Sequence, residues 1–299
     1  MGHIITDLKE AFRRGNVYIQ LIFINVGVFV ITTLIGILLQ LFNRSAAGIF
    51  ELLALPASFT RFAWQPWSIF TYMFMHAGFL HILFNMLWLY WFGALFLYFF
   101  SGKHLRGLYI VGGICGGLLY MISYNVFPYF RPMTAYSTMV GASASVLAIV
   151  VATAYREPNY PVRLLFFGNV RLKYLALIVV LTDLLFITSS NAGGHIAHLG
   201  GALAGLWFAA SLNKGKDITS WVNKALDAIA ALFSAKTWKR KPKMKVHYGN
   251  NTRQNDYDYN ARKKAQSDEI DRILDKLKKS GNESLSSLHK KSLFDASKR

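Results

Sequence analysis

Apolar runs about as long as a membrane is thick recur along the first two thirds of the chain, and polar residues gather at its end. Stretches of about 17 to 25 apolar residues are long enough to cross hydrocarbon, and only a helix or a closed barrel satisfies its own backbone polar groups there. Six such helices are expected, over residues 17–42, 77–100, 104–124, 138–155, 172–188 and 195–212. Between the first two lies a segment, residues 43–76, that is rich in aromatics and carries Pro56 and Pro66. It is too polar in places to span and too apolar to be a free loop. The fold class this pattern predicts is all-α, a polytopic membrane bundle of six helices.

Composition agrees, with 54% hydrophobic and 16% charged residues, a balance that argues against a water-soluble domain of this size. The lone cysteine, Cys115, rules out an intramolecular disulfide framework and leaves no Cys-based zinc site to expect. The N-terminal segment, residues 1–16, carries charges of both signs and precedes a full-length apolar run without a small-residue cleavage site, so an anchor is expected rather than a removable leader. Basic loops stay cytoplasmic. With both termini inside, the short inner segments hold nine Lys and Arg, against Arg44, Arg61 and Arg131 outside. A further 21 of the 33 Lys and Arg lie from Asn213 onward, on the same side. In that orientation the second, fourth and sixth helices all begin at the outer face.

Strongly polar side chains inside a span are costly and tend to face a cavity or one another. The second helix carries His81 and Asn85, four apart on one face, with His76 just before; the fourth opens with Gly-Ala-Ser-Ala-Ser over residues 141–145; the sixth opens with His195 and His198 among glycines. All lie near the outer ends of their helices, on the order of 5 to 13 Å deep at about 1.5 Å per residue. A hydroxyl, an imidazole and a carboxamide at one depth make a set for acyl transfer: nucleophile, general base and oxyanion donor. Gly141, Ala142 and Ala144 around Ser143, and Gly201 and Gly205 after His198, let two helices come close enough for the hydroxyl to reach the ring. Helix packing can fix a ring orientation that a carboxylate fixes in soluble triads. Asp183, on the fifth helix, can be read as a third triad member, but it is expected rather to pair with a polar neighbour or to sit neutral, since burial disfavours its charge.

On these residues the chain resembles the rhomboid intramembrane serine proteases, over roughly residues 17–212. His81 and Asn85 match the second-helix pattern, Gly141-Ala142-Ser143-Ala144 the nucleophile motif G-x-S-G/A, and His198, Gly201 and Gly205 the pattern H-x-x-G-x-x-x-G. The resemblance implies a six-helix rhomboid-like bundle with a partly submerged first loop. It implies a Ser143–His198 dyad, with His81, Asn85 and the Ser143 backbone N–H stabilising the oxyanion. His195 is a possible accessory group one turn nearer the surface. Two positions depart from better-known members: the Trp-Arg pair of the first loop is Trp67-Ser68, and the aromatic often found four residues after the nucleophile is Leu147. The activity implied is an intramembrane serine endopeptidase acting on transmembrane protein substrates near the extracytoplasmic side. A catalytically silent rhomboid-like protein that binds membrane proteins is the alternative, and retention of Ser143, His198, His81 and Asn85 argues against it. The location implied is the bacterial inner membrane, with both termini cytoplasmic.

No cofactor motif appears, and His195 and His198 lack a convincing third metal ligand in sequence. Residues 213–245 read as an amphipathic helix followed by a basic run suited to anionic lipid headgroups. Nucleic acid is not an expected partner, because no fold supports it. Residues 246–266 read as a disordered linker, and residues 267–299 as a short extension of two amphipathic helices broken at Ser280-Gly281-Asn282.

Overall fold

The structure is a computed structural model that describes residues 12, 15–164, 168–233, 252–281 and 284–297. The N-terminal segment up to residue 14, apart from Phe12, and the basic run over residues 236–245 lie outside the described residues. The chain divides into two compact units, Met1–Thr237 and Trp238–Arg299.

In the first unit, α1 (Val17–Leu41) is followed by α2 (Ala47–Leu53), β1 (Leu55–Pro56), α3 (Phe59–Trp64), α4 (Ser68–Thr71) and a 3-10 turn over Tyr72–Phe74. Then come α5 (Phe79–Phe99), α6 (Gly102–Val126), β2 (Thr138–Met139), α7 (Ser143–Arg156), the hairpin β3 (Pro161–Leu164) and β4 (Gly168–Arg171), α8 (Leu172–Leu185), α9 (Ala192–Asn213) and α10 (Ser220–Phe233). Six helices thus stand where six apolar runs predict them, and the all-α polytopic class holds.

Only four of them, α1, α5, α6 and α9, are long and apolar enough to cross a membrane unaided. The expected spans over 138–155 and 172–188 are each cut to 14 residues, about 21 Å at 1.5 Å per residue against about 30 Å of hydrocarbon. The loss falls mainly at the start of α7 and at the end of α8. Residues 138–139 pair as an antiparallel strand with Leu55 and Pro56, which holds that stretch extended until Ser143. α8 begins at Leu172, where it is expected, and stops at Leu185, because residues 186–191 run through turns closed by bonds such as Ser189 N–H to Phe186 O at 3.0 Å. The shortness of α7 is tolerable because it is the central helix: every residue from Ala144 to Ala154 is buried by its neighbours.

Glycines let α7 and α9 meet. A Cβ on Gly201 would overlap the Ala144 carbonyl, and one on Gly205 would overlap that of Ala148. The two backbones therefore touch where a methyl group has no room, which brings the start of α7 beside the first turns of α9.

The first loop is folded rather than free. Leu55, Ala57, Tyr72, Met73 and Met75 are buried, while Trp64 and Trp67 remain exposed, as suits indole rings at a membrane surface. Its carbonyls are tied down by side chains: Thr71 Oγ1 donates to Leu53 O (2.7 Å) and Trp67 Nε1 to Leu52 O (3.0 Å). Tyr109 on α6 donates to Met73 O (2.9 Å) and takes the amide of Asn25 on α1 (3.0 Å), fastening loop and first helix to the core.

At the opposite end α10 packs on α6. Arg106 Nε and Nη2 donate to Asn223 Oδ1 at 3.0 and 2.9 Å, and the same guanidinium pairs with Asp227 at 3.0 Å. Its face with Trp221, Ile229 and Leu232 stays exposed.

In the second unit, α11 runs over Thr252–Ser280 and α12 over Ser287–Ser297. The helix begins at Thr252, inside the stretch expected to be a linker, so residues 252–266 are corrected from linker to helix. Acid-to-base spacings at i and i+4, such as Asp258 to Arg262 and Asp268 to Arg272, support an exposed helix that hydropathy alone does not suggest. Gly281, at φ +70°, ends it in the left-handed conformation that favours glycine.

Candidate active site

Ser143 is the first residue of α7, and the turn before it is built around Gly141. Gly141 takes φ +137°, and a Cβ there would lie 2.9 Å from both Cε1 and Nε2 of His81. Glycine is needed twice over, for the backbone angle and for the imidazole packed on it. The first N–H groups of a helix have no intrahelical acceptor, so those of Ser143 and Ala144 are free to serve a developing negative charge.

The structure brings Ser143, His198, Asn85 and His81 around a cavity of about 490 Å³, lined also by Tyr120, Ser137, Ser190 and Asn191. A second cavity, of about 190 Å³, is walled by Phe84, Trp88, Val146, Leu147 and Val179, and shares Ser143, Asn85 and His198 with the first. A polar chamber and an apolar slot therefore meet at one hydroxyl and one imidazole. His198 lines both cavities, whereas His195 lines neither.

The two polar groups of α5 are held by local bonds. Asn85 Nδ2 donates to His81 O at 2.8 Å, one turn back. The Ala77 N–H donates to His81 Nδ1 at 3.4 Å. An Nδ1 that accepts leaves the proton on Nε2, the atom that faces Gly141. The His76 and His81 rings meet edge to face at 5.1 Å.

His76, in the loop ahead of α5, is buried, and its pKa is pushed down to about 4 by that burial and by the charge of His81. A histidine so lowered is neutral in the fold and protonates more readily once unfolded. Its contribution is complete above the ordinary value of 6.5 and is lost as pH falls from 6.5 through 4, on the order of 3 kcal/mol in all. Denaturation in micelles between pH 7 and 4 should show this acid-dependent loss in the wild type and a flatter profile in His76→Leu.

Asp183 pairs with polar neighbours, as expected, and these are two histidines at once. On α8 it shares a buried face with Leu172 and Ala176, while Leu177, Ile178, Leu181 and Leu185 point outward. Its Oδ1 lies 2.8 Å from His195 Nδ1 and 2.8 Å from His198 Nδ1. The signal was legible as periodicity, since 172, 176 and 183 fall on one helical stripe; which ring the carboxylate meets was not. The expectation that His195 and His198 lack a third ligand is also corrected. One ligand atom from each of Asp183, His195 and His198 lies within 4.8 Å of the others, although the direct 2.8 Å contacts account for the cluster as hydrogen bonds.

Comparison with known proteins bears on the whole arrangement. A family model described as the Rhomboid domain matches residues 63–214. The chain belongs to the rhomboid family. The match to the rhomboid domain takes in the end of the first loop and α4 to α9, the elements that carry every candidate residue. RHOMBOID-like protein 12, mitochondrial, of Arabidopsis thaliana is 29% identical over 158 residues, which cover 50% of this rhomboid and 47% of the plant protein. This chain thus matches about half the length of that curated relative. A second model, for a family of unknown function (DUF6576), matches residues 254–299, the region of α11 and α12. The protein is therefore an integral membrane protein with a rhomboid domain followed by a short helical extension.

Proposed function

We propose that this rhomboid is an intramembrane serine endopeptidase that cuts transmembrane segments near their extracytoplasmic ends. The observation that carries the reading is the meeting of the polar chamber and the apolar slot at Ser143 and His198. Hydrolysis inside a membrane needs both water and a bound apolar chain at one nucleophile, and these two spaces answer to the two needs.

In the reaction proposed, Ser143 Oγ bonds to the scissile carbonyl carbon as its proton passes to His198 Nε2. The oxyanion is held by the His81 Nε2–H, the Asn85 amide and the free N–H of Ser143. The C–N bond then breaks, His198 gives the proton to the leaving nitrogen, and the C-terminal fragment departs as an amine. Water attacks the acyl-enzyme, losing its proton to His198, which returns it to Ser143 Oγ. The Lys and Arg distribution supports cytoplasmic termini and a site at the outer face. The resemblance favours a bacterial inner membrane. The exposed face of α10 and the basic run after it suit an anionic lipid surface.

The test is a single-span substrate co-reconstituted in vesicles with the full chain, with fragments mapped by mass spectrometry. A cut in the outer third of the span is expected. A substrate that is captured but stays intact would favour the alternative, a rhomboid-like binding protein without catalysis.

A further inference from the structure

We propose that Asp183 is the positioning residue of the histidine base, so that the site works as a Ser143–His198–Asp183 chain and not as a dyad. This rests on the reading of Ser143 as nucleophile and His198 as base. The Asp183 carboxylate accepts the Nδ1–H of His198 at 2.8 Å, within the range of a charge-assisted bond. With its proton held on Nδ1, the ring keeps its lone pair on Nε2, the one nitrogen left to take the proton of Ser143.

Three observations favour this over a packing role. First, Asp183 is the one acidic residue on α8 and is buried toward its C-terminal end, where Leu181, Leu184 and Leu185 face outward, a placement that is costly unless it is used. Its Oδ2 is buried without a partner among the described residues, so the contacts that hold it run through Oδ1 to the two imidazoles. A residue kept for packing or polarity alone would be served by an amide.

Second, Leu147, which lines the apolar slot with His198, is aliphatic and offers the imidazole no ring to stack on. The ring contact recorded for His198 is His195, edge to face at 6.1 Å. Something other than stacking must set the plane of His198, and the bond to Asp183 does so. Third, the proton movement gives the carboxylate a use. As the Ser143 O–H bond breaks and the His198 Nε2–H bond forms, the ring becomes a cation while its Nδ1–H stays in place. The carboxylate beside it faces that new charge in a site of low polarity and takes no proton itself. His195 donates to the same oxygen, which limits rotation of the carboxylate when His198 moves.

The full chain in vesicles, as wild type, Asp183→Asn, Asp183→Glu and Ser143→Ala, is assayed for kcat and KM, and its histidine rings are followed by 15N NMR. The proposal expects Asp183→Asn to lower kcat by about 10²- to 10³-fold with KM changed less than about twofold, and Asp183→Glu to regain part of the loss. In the wild type His198 should carry its proton on Nδ1, and in Asp183→Asn that preference should weaken. A side chain that merely packs would leave the ring spectrum alone. If Asp183→Asn fails to fold, the wild-type spectrum still decides, since an Nε2-protonated His198 contradicts the proposal. Asp183→Asn active within about threefold, with Ser143→Ala inactive, would overturn the role of Asp183 and leave the protease reading standing. Wild type no more active than Ser143→Ala would remove both. Activity abolished by a chelator and restored by Zn²⁺ would overturn the proposal in favour of a metal held by Asp183, His195 and His198.

Discussion

Ser143→Ala should lower the turnover of a cleaved substrate by at least about 10⁴-fold, and His198→Ala by a similar factor, with the double variant little worse than either. The reason lies in how the two groups depend on each other. Without Oγ there is no atom to form the acyl bond, and without the ring there is no base to free Oγ or to protonate the leaving nitrogen. Groups that act as one unit lose nearly everything at the first deletion. What survives is the oxyanion site: the N–H groups opening α7, the His81 ring and the Asn85 amide keep their local bonds in both variants. Single-turnover assays on the vesicle-bound substrate, with circular dichroism to show that the helices persist, check this. Additive losses would mean that the two residues do not share a step.

Gly201→Val should be the most damaging change in the helix packing, costing about 3 kcal/mol or more and removing activity with it. The added Cβ falls onto the Ala144 carbonyl, which is backbone inside the first turn of α7 and cannot swing aside as a side chain would. Relief requires α7 and α9 to part, and their contact is what sets Ser143 beside His198. Stability and activity should therefore fall together in thermal unfolding and cleavage assays of the same preparation. Gly48→Val, at a glycine whose added Cβ meets nothing within 4 Å, is the matched control and should leave both nearly unchanged. A stable, folded Gly201→Val protein would mean that the helices approach less closely than described.

Much of this was legible in the chain. Apolar runs marked six helices, and the glycines after His198 marked the tight seam, because a backbone approach leaves a spacing that can be read. The lengths of α7 and α8 were not legible. The start of α7 depends on Leu55 and Pro56 pairing with Thr138 and Met139, a contact between distant segments, and the end of α8 on turns over residues 186–191 that Phe186 and Ile187 disguise as more of the apolar run. The helix from Thr252 was hidden by its low hydropathy, since paired charges and not an apolar face carry its first half. Asp183 was visible as a polar residue in a span, yet its partner was not, because helical periodicity gives a face and not what lies opposite it. The two histidines that meet it are one turn apart on α9, and only the packing of α8 on α9 brings the carboxylate to both.

The central claim is that Ser143 is an activated nucleophile. The most direct measurement is the mass of the intact, detergent-purified chain after exposure to a fluorophosphonate, followed by fragmentation to locate the adduct. One adduct on Ser143 is expected in the wild type, none in Ser143→Ala or His198→Ala, and in His195→Ala a labelling rate reduced by less than about tenfold. A folded wild-type chain that takes no label, or takes it at another residue, would contradict the account.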